Sequence, residues 1–253
     1  MRIILALSLV GLFSTSAYAQ QAAEAAHKTE TIASLDGIKI SADLYAPHPI
    51  TETPMVILFH QAESSRGEYR EIAKILNSKT LNAIAIDLRA GNKMNGVANL
   101  TFASAKKAGK NTNYLDAYQD MVASLRHVDK TYKPRRIYVW GSSFSASLAL
   151  RLTAEYPQLI RAVFAFSPGE YFRKKNYILR YAKRIRRPTF ITSAKSEKSR
   201  WATLYNAIST STKVSFVPKS KGYHGARALW PKSKGNQEYW AAIDSFLAQL
   251  ASQ

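Results

Sequence analysis

The chain has 253 residues, 46% of them hydrophobic, which is enough to bury a substantial core. It has no cysteine, which excludes disulfides, thiolate metal sites and a cysteine nucleophile. Its 36 Lys and Arg against 17 Asp and Glu give a formal net charge of +19, a field that draws anionic partners and substrates without naming them.

Arg2, the apolar run from Ile3 to Phe13 and the small-x-small pattern Ala17-Tyr18-Ala19 predict a secretory signal peptide over residues 1–19, cleaved after Ala19. The run is short against the ~20 apolar residues of a spanning helix. Export to a periplasm or to the medium is therefore expected, with no transmembrane segment in the mature protein. Residues 20–28 read as a flexible leader and residues 29–253 as a single domain. Thr29 to Leu35 and Ile38 to Tyr45 are β-prone runs about Asp36-Gly37, a hairpin dipeptide. Met55 to Phe59 is continuously apolar, as a parallel strand buried on both faces must be. Residues 67–78 place Tyr69, Ile72, Ala73 and Leu76 at helical spacing, and Ala83 to Ile86 forms the next buried strand. Residues 91–112, polar and rich in Gly and Asn, read as a long surface loop.

The alternation then continues: helix over Asn113 to Val128, strand over Arg136 to Trp140, helix over Ser145 to Tyr156, strand over Ala162 to Phe166. After the basic, aromatic stretch 169–187 come a strand beginning at Pro188 to Thr192 and a helix over Arg200 to Ser209. A strand over Val214 to Val217 and a helix over Gln237 to Leu250 close the chain. This order predicts an α/β fold: a mostly parallel central sheet with an N-terminal antiparallel hairpin and helices on both faces.

The sharpest chemical signal is Gly141-Ser142-Ser143-Phe144-Ser145, placed between a strand and a helix as a nucleophile elbow requires. Small residues two before and two after the nucleophile let the backbone turn. Of the three serines only Ser143 lies between two such positions, Gly141 and Ser145. The competing reading is a serine-rich helix start that merely caps free N–H groups. A serine hydroxyl needs a base. Of His27, His48, His60, His127 and His224, the last sits in Gly222-Tyr223-His224-Gly225, directly after the final strand and so at the carboxyl edge of a parallel sheet. His60 reads as a packed residue that shapes the loop after Met55 to Phe59. For the orienting carboxylate, Glu197 follows the strand Pro188 to Thr192 at the same edge; Glu170 is the reserve, and Glu155 points away on a helix. The oxyanion donors are expected to be the Phe144 backbone amide and Gln61.

Together His60-Gln61, Asp87-Leu88-Arg89-Ala90-Gly91, the elbow, Ser193 to Glu197 and Gly222 to Gly225 resemble the α/β-hydrolase superfamily. Within it the chain is similar to dienelactone-hydrolase-like and prolyl-oligopeptidase-like small serine hydrolases, over residues 29–250. The resemblance implies the Ser-Glu-His chain order and cleavage of a carboxylic ester, thioester or amide through an acyl-enzyme on Ser143. It also implies a small-molecule ester-type substrate and no metal or organic cofactor. Three departures stand out: dienelactone hydrolases proper use a cysteine, their aspartate position is Glu197 here, and the second oxyanion loop has no HGGG-type run.

The stretch 169–187 alternates Arg and Lys with Tyr, Phe, Ile and Leu, and Tyr177-Tyr181 and Ile178-Ile185 would share one helical face. It reads either as a solvated helix packed by its apolar side or as a lid or docking surface for anionic envelope components. Lys219 and Lys221, near His224, would favour an anionic substrate. The second functional class is a non-catalytic homologue that binds anionic envelope partners through a basic face. Nucleic acid is not expected, because the basic charge is scattered and attached to no reading motif.

Overall fold

The computed structural model describes residues 27–252; the expected signal peptide and most of the expected leader lie outside the described residues. Among the described residues ten strands are present: β1 (Lys28–Ala33), β2 (Lys39–Tyr45), β3 (Met55–Phe59), β4 (Asn82–Ile86), β5 (Lys93–Met94), β6 (Val97–Ala98), β7 (Ile137–Ser142), β8 (Ile160–Phe166), β9 (Thr189–Thr192) and β10 (Lys213–Phe216). Helices α1 (Arg70–Ser78), α2 (Leu100–Lys107), α3 (Ala117–His127), α4 (Phe144–Glu155), α5 (Tyr177–Ala182), α6 (Lys198–Ala207) and α7 (Asn236–Ala251) connect or follow them. Lys28, expected in the leader, already opens β1 and pairs with Leu44. No helix among the described residues is long and apolar enough to cross a membrane.

The main sheet has eight strands in the order β1-β2-β4-β3-β7-β8-β9-β10. β1–β2 and β2–β4 are antiparallel, and every later pair is parallel. Side chains alternate across a strand, so β3, β7 and β8 divide their residues between two cores. Ile57, Phe59, Val139, Val163 and Ala165 face the layer of α3 to α6. Val56, Leu58, Trp140, Phe164 and Phe166 face α1 and α7. There Trp140 stacks on Phe164 and Phe166 with ring centroids 4.9 and 4.7 Å apart. Each fully buried Val, Leu, Ile or Phe side chain among them contributes about 1.5–3 kcal/mol. The two cores hold the strand ends rigidly, and the chemistry is built on those ends.

Two segments differ from expectation. Residues 91–112 are not one loop: β5 and β6 form a small antiparallel ribbon about Asn95-Gly96, and α2 follows. Asn99 caps α2, its Oδ1 accepting the Phe102 N–H at 2.8 Å, while its Nδ2 donates to the Leu88 and Ser64 carbonyls. The sequence does not mark this helix because it packs on the body through small residues, Thr101 and Ala105, rather than a large apolar stripe. In the stretch 169–187 only Tyr177–Ala182 is helical. Tyr177, Ile178, Ala182 and Ile185 are buried there, as a helix packed by its apolar side requires.

Candidate active site

Five chain segments leave the carboxyl edge of the parallel strands and meet above it. After β7 the backbone turns sharply into α4, and Ser143 sits at the apex with φ +62°. A side chain at positive φ is strained, by about 1–3 kcal/mol. The turn is held by the Ser143 N–H, which donates to the Phe166 carbonyl at 2.8 Å. Gly141 is required: a Cβ there would lie 2.5 Å from the Ala146 N and Cα. Ser145 is more than small. Its Oγ accepts the Ser142 N–H at 2.9 Å and lies 2.7 Å from the Phe59 carbonyl, which joins the elbow to the end of β3.

His224 comes in after β10. Its Nε2 lies 2.8 Å from Ser143 Oγ and its Nδ1 2.5 Å from Glu197 Oε1. Glu197, in the turn after β9, also accepts the Ser167 hydroxyl at 2.7 Å. Ser167 in turn accepts the Gly225 N–H at 2.9 Å, so one hydroxyl ties the carboxylate to the histidine loop. Burial alone would raise the Glu197 carboxyl, but the hydrogen bonds from His224 and Ser167 outweigh it and hold the group below the usual carboxylate range. Gly225 adopts φ +67°, and a Cβ there would strike Ser142 Oγ at 2.5 Å. The histidine loop can close onto the elbow only because that position is a glycine.

The structure brings Ser143, His224 and Glu197 together and places Phe144 at the first turn of α4, where a helix N–H has no intrahelical acceptor. It does not free the Gln61 amide. That N–H donates to Glu68 Oε2 at 2.8 Å, so Gln61 as an oxyanion donor is corrected: its amide is consumed inside the protein. The next amide, that of Ala62, has no acceptor among the described residues. Glu68 itself is fully buried. It also accepts the Ser142 hydroxyl at 2.8 Å, and Ser142 Oγ accepts the Ala226 N–H at 2.9 Å. Burial pushes the Glu68 carboxyl up despite these bonds and the nearby charge of Arg227.

The other candidates have structural posts. Glu170 accepts the Ile178 and Leu179 N–H groups and caps α5. His60 is buried, its Nδ1 2.6 Å from the Gln61 carbonyl and its Nε2 accepting the Leu88 N–H at 2.8 Å; burial holds its pKa down. Glu68, Ser167 and Tyr171 went unnoticed. Tyr171 OH donates to the Ser167 carbonyl at 2.7 Å. The sequence marked Ser167 only by its place at a strand end, and Glu68 looked like an ordinary helix charge.

A mostly parallel sheet with a strained serine turn after β7 and a histidine loop after its last strand defines the α/β-hydrolase class. The family model described as Serine aminopeptidase, S33, matches residues 51–215, and the chain belongs to that family, a small serine hydrolase. No curated protein matches by sequence. Among solved structures the Pyrococcus furiosus esterase Pf2001 has a TM-score of 0.71 at 20% identity, over 97% of this chain and 99% of that one. Dienelactone hydrolase from Anabaena variabilis has a TM-score of 0.66 at 15% identity, over 87% and 95%. Est1E from Butyrivibrio proteoclasticus, with ferulic acid bound, has a TM-score of 0.66 at 14% identity, over 88% and 100%.

Proposed function

We propose that this chain hydrolyses carboxylic esters through an acyl-enzyme on Ser143, and that it does so after export and removal of residues 1–19. The supporting observation is the unbroken line from Ser143 Oγ through the His224 ring to Glu197, with contacts of 2.8 and 2.5 Å. Glu197, kept ionised by its two partners, accepts the Nδ1–H and leaves Nε2 as the lone-pair nitrogen facing the serine. Nε2 takes the Ser143 proton as Oγ bonds to the ester carbonyl carbon. The carbonyl oxygen gains the negative charge and is held by the amides of Phe144 and Ala62. The intermediate collapses, the C–O bond to the alcohol breaks, and His224 returns the proton to the departing oxygen. Water, deprotonated by the same nitrogen, then attacks the acyl carbon and releases the acid and free Ser143.

The ester assignment draws on neighbours named as esterases. The family's description names aminopeptidases, so an aminoacyl anilide belongs in the same assay as the second reading. A fluorophosphonate probe should label wild type stoichiometrically and Ser143→Ala not at all, and the mass of labelled protein from its native host should begin at Gln20. Ser143→Ala or His224→Ala should lower kcat by a factor on the order of 10⁴–10⁶. No labelling of either would leave the non-catalytic binder as the better account, and equal labelling of wild type and Ser143→Ala would move the nucleophile to another serine.

A further inference from the structure

A cavity of about 720 Å³ opens between the loop 111–116 that leads into α3 and the loop 171–174 that follows β8. Both walls touch neighbours of the catalytic residues. The Tyr114 ring stacks on Phe144, the residue after Ser143, with centroids 4.5 Å apart and planes 17° from parallel. On the other side the Tyr171 hydroxyl donates to the carbonyl of Ser167, whose own hydroxyl holds Glu197. The Tyr114 ring therefore joins this cavity to the turn that carries Ser143.

Two features of the lining restrict what fits. Tyr114 has one face covered by the buried Phe144 ring, yet the residue remains 39% exposed, an unusual state for a large aromatic ring held in a stack. Aromatic rings prefer offset-stacked neighbours at centroid distances of about 4.5–7 Å, so a flat substrate ring extends the Phe144–Tyr114 stack in a way a saturated chain does not. Leu115 and Phe172 complete the apolar wall. Arg173 and Lys174 line the same cavity, are exposed, and form no ion pair among the described residues. Asp116 is the acidic lining residue set against these two cations.

We infer that the site selects esters with a flat aromatic group and an anionic substituent, the ring lying on Tyr114 and the anion held by Arg173 and Lys174. The inference rests on the hydrolase reading of Ser143 and assigns that site its substrate class. The test uses esters matched in intrinsic reactivity: methyl 3-cyclohexylpropanoate, methyl 3-phenylpropanoate and methyl 3-(4-carboxyphenyl)propanoate. A parallel series carries the same three groups on the alcohol half of 2-substituted ethyl acetates.

In at least one series kcat/KM for the phenyl ester should exceed the cyclohexyl ester about fivefold, the worth of one aromatic stack. That ratio should survive in Tyr114→Phe and collapse towards one in Tyr114→Leu. The ring carboxylate should add about two- to fivefold at low salt, an increment lost at high salt and in the Arg173→Gln/Lys174→Gln variant. These two residues are on the surface, so the charge arm stands even if a Tyr114 variant fails to fold. Turnover of all three esters with no preference for the ring in either series, or slower turnover of the carboxylated ester at low salt, overturns this inference alone. No turnover of any ester together with no fluorophosphonate labelling overturns the hydrolase reading beneath it.

Discussion

Glu68 shows how much one buried side chain can decide. Its carboxylate takes the Gln61 N–H and the Ser142 hydroxyl, and so fixes the loop after β3 against the elbow after β7. Because burial raises its pKa, the folded protein keeps a proton that the unfolded chain releases between the usual carboxylate range and the raised folded value. The native state binds more protons in that window, so its stability falls as pH rises through it. Glu68→Gln removes the titration. The unfolding midpoint of wild type should therefore decline relative to Glu68→Gln as pH is raised from acid towards neutral; parallel midpoint curves across that range would show that the group does not titrate there. The approach of His224 to Ser143 was legible at this scale because backbone constraints write themselves as small residues: Gly141 where a Cβ would strike Ala146, Gly225 where one would strike Ser142. That the Gln61 amide is consumed inside the protein was not. Whether Gln61 or Ala62 offers its amide depends on a carboxylate seven positions away turning inward, and no local pattern records that.

At the scale of elements, legibility followed side-chain size. β3, β4 and β7 were readable because both of their faces are covered, leaving mostly apolar runs in which Ile, Leu, Val, Phe or Trp recur. The ribbon and α2 within 91–112 were not, because they dock through Asn99, Thr101 and Ala105, whose contacts are hydrogen bonds and close approach. Thr101 Oγ1 accepts the Ser41 N–H at 2.9 Å, and Asn99 serves the Leu88 and Ser64 carbonyls as well as the helix cap. Asn99→Ala deletes the cap and strands buried carbonyls, at a cost of about 2–4 kcal/mol. The melting temperature should drop by roughly 5–15 °C. The Asn99 amide also lies 3.1 Å from His60 Nε2, so the loss should loosen the loop that carries Gln61 and Ala62 and reduce kcat. A change within about 0.5 kcal/mol, as for an ordinary surface position, would return the segment to the status of a passive loop.

The whole molecule distributes its charge unevenly between inside and outside. Asp43, Asp87, Asp120 and Glu68 are buried, and among the cations of the described residues only Arg66 and Arg89 go in with them. Arg66 pairs with Asp43 and Asp87, and Arg89 forks between Asp120 of α3 and Asp36 of the first hairpin turn, bracing the antiparallel end of the sheet. Asp36 is held down to about 2, chiefly by the hydrogen bond from Arg89. These pairings join residues far apart in sequence, so composition could report the surplus of cations but not that acids are withdrawn from the surface. The exterior is therefore more positive than the formal +19 suggests, and like charges repel one another across it. That repulsion destabilises the compact state and is screened once the Debye length shrinks to ~10 Å at 0.1 M salt, whereas the buried Arg66 and Arg89 pairs are screened far less. Raising sodium chloride from about 10 to about 200 mM should then raise the melting temperature by a few degrees, the shift expected from roughly 1 kcal/mol in a chain of this size. A melting temperature that falls over that range would mean that surface attraction outweighs repulsion, and would contradict the reading of the surface as a net repulsive shell.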